Sequence, residues 1–187
     1  MEQLSHLPNT RRLVTGHDRE GKAIFEFDEL LTPVNPTAKG SRLGTSTDKP
    51  VGVTLIHRTR NYPVKIQGGK EELAVENVRR GQGEKGIVCQ IVDIPPTPRG
   101  ATPYLHRNES LDYGVVIKGS LQLLLDDGLI ETLREGDVYI QKGTYHAWLN
   151  NSTEYCRFMT VVIPSEKVKV EATGDFLEGT KIPGLSD

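Results

Sequence analysis

The chain has little of what several specialised classes of protein require. Its 187 residues carry 23 Lys and Arg against 25 Asp and Glu, a formal charge of −2, so no basic excess exists to neutralise a phosphate backbone. No nucleic-acid partner is expected. No run approaches the roughly 20 apolar residues that cross a bilayer, and the opening MEQLSHLPNTRR lacks the apolar stretch of a secretory signal. No membrane partner is expected, and the expected location is cytoplasmic. Only two cysteines occur, Cys89 in GIVCQIV and Cys156 in EYCRFMTVV. They lack the CxxC spacing of a zinc or redox pair and read as core thiols. Also missing are an internal repeat, a heptad pattern and a long amphipathic helix.

What is present is a series of short apolar runs punctuated by turn residues, which predicts an all-β chain. RRLVTGHDREGKAIFEF reads as a hairpin turning at His17-Asp18-Arg19-Glu20-Gly21. Residues 32–50, rich in Pro, Gly, Ser and Thr, read as an irregular connection. VGVTLIHRT reads as a strand, and residues 66–86 as a polar excursion with room for a short helix. From Gly86 onward the strand pattern is denser: KGIVCQIVDI, the segment ending in YLH, DYGVVIK, SLQLLLDD, LIETLRE, DVYIQ, HAWLN and EYCRFMTVVI. Asp126-Asp127-Gly128 marks a hairpin. Turns every 8 to 12 residues or so fit a sandwich or barrel of antiparallel strands. One structural domain is expected, with N-terminal strands and connections over 1–85, a core over 86–164 and a tail over 165–187.

The stretch LHRNESLDYGVVIKG places polar side chains directly before a segment built to be buried. Along one continuous strand His106 and Asp112 would stand roughly 20 Å apart. A turn through Asn108, Glu109 and Ser110 lets both face the same space between neighbouring strands. By the two-residue period, Asp112, Gly114 and Val116 share one face, Tyr104, His106 and Asn108 another, and downstream His146, Trp148 and Asn150 a third. Two histidines and one carboxylate from separate strands form the ligand set of a facial triad, suited to Fe(II) or another divalent ion. The competing reading for each histidine is a structural residue bonded to a backbone carbonyl. Tyr104 and Trp148 either stack on a planar substrate or fill the core, and Asn108 either fixes the turn or touches substrate. His57, in TLIHRT, lies on an upstream strand, where it is either exposed or enters the barrel mouth.

These residues resemble the cupin family over about Pro98 to Pro164. Gly100, His106, Asp112 and Gly119 fall at the offsets of the first cupin motif, with Asn108 in place of its second histidine and Asp112 in place of its glutamate. GDVYIQKGTYHAWLN supplies Gly136, Gly143, His146 and Asn150 of the second motif, one residue shorter before the inner glycine and without its proline. The closer likeness, through HRNESLDYG, GTYHAWLN and the leading RRLVTGHDREGKAIF hairpin, is to small single-domain cupins labelled oxidoreductases, some found alongside polyketide pathways. The resemblance implies a double-stranded β-helix, or jelly-roll barrel, with an N-terminal hairpin extension. It implies a metal-dependent enzyme, holding Fe(II) before Mn, Ni or Zn, on His106, Asp112 and His146. The expected substrate is a small aromatic or polyketide-like metabolite, met by Tyr104, Asn108, Trp148 and His57, and oxidoreduction is the leading chemistry. The alternatives are a non-redox lyase or isomerase using histidine acid–base chemistry, and a binding cupin without turnover. A homodimer is expected by the same analogy.

Overall fold

A computed structural model describes residues 7–36, 50–60, 62–66 and 86–180. The polar excursion of residues 66–86 and the connection of residues 32–50 fall largely outside them. The ten strands are β1 (Thr10–His17), β2 (Ala23–Leu31), β3 (Gly52–Arg58), β4 (Val88–Ile94), β5 (Ser110–Lys118), β6 (Ser120–Leu125), β7 (Ile130–Arg134), β8 (Val138–Lys142), β9 (His146–Leu149) and β10 (Cys156–Pro164). No α-helix occurs among the described residues, and so none there is long and apolar enough to cross a membrane.

The hairpin β1–β2 forms a sheet of its own. It turns where Asp18 Oδ1 accepts from the backbone N–H groups of Glu20 and Lys22. Two further sheets, in the orders β3-β4-β10-β5-β8 and β7-β6-β9, are antiparallel throughout and make the double-stranded β-helix. The turn at Asp126-Asp127-Gly128 joins β6 to β7, with Asp127 in the left-handed region at φ 60°. Of the runs read as strands, only the one ending at His106 fails to form one. Pro95, Pro96, Pro98 and Pro103 leave that stretch short of N–H donors, and it joins the sheet by a single bridge at His106.

Alternation along β5 sends Ser110, Asp112, Gly114 and Val116 inward, all of them buried. Val92, Tyr139, Cys156 and Phe158 of the same sheet and Leu121 of the smaller one complete the core with Val116, flanked by Leu133, Ile94 and Trp148. Both cysteines are free; Cys156 is buried and its thiol is pushed up to about 12, chiefly by burial. Gly114 is required by packing. A Cβ there would stand 2.2 Å from the Tyr139 ring, so only a glycine lets that ring lie across β5.

The outer face of the large sheet holds one buried ion pair. Asp93 and Arg157 are register partners on β4 and β10, joined by two bonds of 2.6 and 2.7 Å, and Arg157 Nη1 donates to the Pro8 carbonyl at 2.7 Å. The pair thus ties the N-terminal segment to the barrel. Removing one member leaves the other charge buried and alone, a loss of about 3–5 kcal/mol. Asp93→Ala is expected to lower stability by that amount in urea unfolding, and a loss below about 1 kcal/mol would show that Arg157 relaxes to solvent.

Candidate functional site

The site is built where two irregular segments meet. His106 N–H donates to the His146 carbonyl and His146 N–H to the His106 carbonyl, both at 2.9 Å. This reciprocal pair brings together two side chains forty residues apart in sequence, with ring centroids separated by 4.3 Å and tilted by 48°. Arg107 fastens the same two segments from outside. Its Nε donates to the Gly143 carbonyl at 3.0 Å and its guanidinium lies 5.5 Å from the centre of the Tyr145 ring. The tail then covers this turn, because Thr180 and Arg107 exchange two hydrogen bonds, while Glu109 receives Ser165 N–H at its carbonyl and Gly179 N–H at its carboxylate.

Both imidazoles adopt one local pattern. Nδ1 of His106 lies 3.4 Å from the Tyr104 carbonyl and Nδ1 of His146 lies 3.0 Å from the Thr144 carbonyl. A carbonyl oxygen only accepts, so each contact places the proton on Nδ1 and leaves Nε2 with a free lone pair. Burial favours the neutral ring. It lowers the His106 pKa, and with the nearby His106 it pushes His146 down to about 4. The rings sit at the head of an aromatic file. Tyr104 stacks on His106 at 5.8 Å, Trp148 meets His146 edge-on at 5.9 Å, and Tyr139 and Phe158 pack on Trp148 at 4.9 and 5.2 Å.

Asp112 departs from the expectation. It points inward and is buried, and burial raises its pKa, with the neighbouring Ser110 hydroxyl acting in the opposite direction. Yet among the described residues no three of His, Cys, Asp and Glu stand close enough to hold a cation. The triad of His106, Asp112 and His146 is therefore not assembled. Asp112 stands opposite Gln141 on the ladder, and the Gln141 amide reaches His146 Nδ1. The two free Nε2 atoms are suitable donors for Fe(II), Mn, Ni or Zn, and among the described residues no third His, Cys, Asp or Glu joins them. The donor set expected of the site is incomplete.

The other expected residues divide. Tyr104 and Trp148 line the histidine pair, Trp148 also contributing to the core. Asn108 lies in the turn, with its carbonyl toward Gly143 and no hydrogen bond from its side chain to either imidazole. Asn150 is structural, its Nδ2 donating to the carbonyls of Ile94 and Glu154 and its Oδ1 accepting from Ser152. His57 is a correction: a register shift between Leu55 and His57 pairs it with Cys89, and its side chain is exposed, away from the inward face of Leu55 and Gln90. Gln141, Tyr139 and Arg107 were missed. Gln141 was findable, since in DVYIQK it shares the inward parity of Tyr139 and is a buried amide facing an apolar core.

Comparison with known proteins follows the same lines. The Cupin domain family model matches residues 90–162. A protein named phomopsin biosynthesis cluster protein D, from Diaporthe leptostromiformis, is 39% identical over 97% of this chain and 91% of its own length. A cupin-domain-containing oxidoreductase from Aspergillus ruber is 33% identical over 94% of this chain and 82% of its own. Among solved structures, an ethanolamine utilization protein Q from Salmonella typhimurium aligns at 12% identity with a TM-score of 0.43, over 84% of this chain and 98% of that one.

The titration of His146 has a measurable consequence for the metal-free protein. The unfolded chain takes up this proton near 6.5, whereas the folded chain resists until about 4. Between those values the unfolded state binds more protons, so stability falls as pH falls. At about 1.4 kcal/mol per pKa unit the loss amounts to about 3 kcal/mol. Asp112, with a raised pKa, acts in the opposite direction. Thermal unfolding from pH 7 to 4 is expected to show the decline in the parent and a shallower slope in His146→Gln; parallel slopes would show that His146 titrates normally.

Proposed function

The chain belongs to the cupin family, and on that premise we propose that it is an enzyme of small-molecule biosynthesis that moves a proton on a flat, aromatic or polyketide-like metabolite. One observation carries the reading: two neutral imidazoles in ring contact, His146 buried and His106 half-buried, each with Nδ1 held by a carbonyl and Nε2 free, at the head of an aromatic file. A neutral imidazole inside a barrel is a stronger base toward substrate than its pKa in water suggests only if the cation it forms is supported. Here the backbone carbonyls of Tyr104 and Thr144, which face Nδ1 of the two rings, supply that support. Nε2 of one histidine takes a proton from an acidified C–H or O–H of the substrate. The resulting imidazolium returns it to another atom, giving an isomer, or to a departing hydroxyl, giving the dehydrated product and water. Tyr104 and Trp148 hold the planar substrate against the pair.

A second reading is oxidoreduction, favoured by the names carried by relatives such as the Aspergillus ruber protein. It requires a bound metal or another redox group, with donors from substrate or water completing the two histidines. The two readings separate in one set of measurements on untagged protein. Under the proton-transfer reading, activity survives chelation with no oxygen consumed, and His106→Ala and His146→Ala each lose about 10²–10⁴-fold in turnover while remaining folded. Activity that disappears with the metal and returns with added Fe(II), Mn, Ni or Zn supports the second reading instead. Full turnover in both alanine variants would remove the site itself.

A further inference from the structure

Three buried oxygens on the inward face of β5 and β8 have no partner: Oγ of Ser110, Oδ1 of Asp112 and Oε1 of Gln141, and the last two matter here. They belong to directly opposed residues of the ladder, whose Cβ atoms in such pairs lie about 5 Å apart. Next to them is the reverse difficulty. The nitrogen end of the Gln141 amide meets His146 Nδ1, which the Thr144 carbonyl at 3.0 Å requires to be protonated. Two N–H groups face each other while two oxygens stand unpaired. A half-turn of the amide about its terminal torsion removes the clash at His146 and turns the NH2 toward the side of the ladder where Asp112 stands opposite, since the oxygen and nitrogen of a carboxamide exchange places.

We propose that Gln141 is a positioning residue, linking Asp112 to His146 through an amide whose oxygen shares the His146 Nδ1 proton with the Thr144 carbonyl and whose NH2 donates to the Asp112 carboxyl. In this arrangement Asp112 acts on the site through Gln141, and the relay selects the tautomer of His146 that keeps the Nε2 lone pair directed at substrate. An amide passes on orientation, not a proton, so Asp112 neither donates to nor accepts from the imidazole. The inference rests on the reading of His146 as a working group, but it concerns the ring in the resting protein and can be tested without turnover.

The test is the tautomer of His146 in the full chain, read at pH 7 from long-range proton–nitrogen correlations of 15N-labelled imidazoles. The resonances of His146 are identified by their disappearance in His146→Gln. The parent is expected to show Nδ1 protonated and Nε2 bare. Gln141→Met, which retains bulk and loses the acceptor, is expected to shift the tautomer ratio about five- to tenfold toward Nε2–H, the worth of one hydrogen bond. Gln141→Glu keeps an acceptor and is expected to restore the parent ratio. Asp112→Leu, which removes the far end, is expected to shift it in the same direction as Gln141→Met by a smaller factor. A parent ring protonated at Nε2 overturns the proposal even if no variant folds. So does an unchanged ratio in Gln141→Met. If the ratios behave as expected but His146→Ala retains turnover, the relay stands and the functional reading falls.

Discussion

Two backbone hydrogen bonds of 2.9 Å, running in both directions between His106 and His146, are the constraint on which the site depends. Neither segment would hold its ring in place alone. The stretch before His106 is too rich in proline to enter a sheet, and the stretch before His146 turns at Gly143 with φ 57°. Each borrows order from the other, and through the pairing of β9 with β6 the junction is anchored to the smaller sheet. Side chains reinforce the junction from outside, with Arg107 fastened to Gly143 and Tyr145 and the tail bonded over the turn at Thr180.

Burial then determines the chemistry. Histidine in water exchanges its proton near neutral pH, but here the apolar surroundings favour the uncharged ring, and two such rings in contact make protonation of either costlier. The same surroundings raise the pKa of Asp112. A polar strip of Ser110, Asp112, Gln141 and His146 runs along the inner wall next to the aromatic file, on strands otherwise packed with apolar side chains. Buried polar groups are costly unless bonded, and along this strip the Gln141 amide meets the His146 ring.

Away from the site the same economy of register is visible. Gly114 and Tyr139 are opposed on β5 and β8, and the missing side chain of one admits the ring of the other into the core. Asp93 and Arg157 are opposed on β4 and β10, and their bidentate pair binds the segment at Pro8 to the outer face. The first shapes the interior beneath the histidines. The second joins the N-terminal segment to the barrel.

Much of the fold was legible from alternation and turn chemistry, because side chains of period two must choose a face and Asp, Asn and Gly break strands where the backbone turns. This was enough to locate β1 to β10 and to put Asp112, Gly114 and Val116 on one inward face. It also singled out His106 and His146, whose offsets match the motifs of the family. Spacing could not reveal which side chain lies between them. That Asp112 stands opposite Gln141, whose amide reaches His146, is set by the register of β5 against β8, which spacing along the chain does not give. His57 shows the same limit, since an irregularity in the pairing of β3 turns it outward where regular alternation left both faces open. Local sequence determined the strands, their faces and the two histidines; long-range pairing, which sums contacts between residues distant in the chain, decided their neighbours.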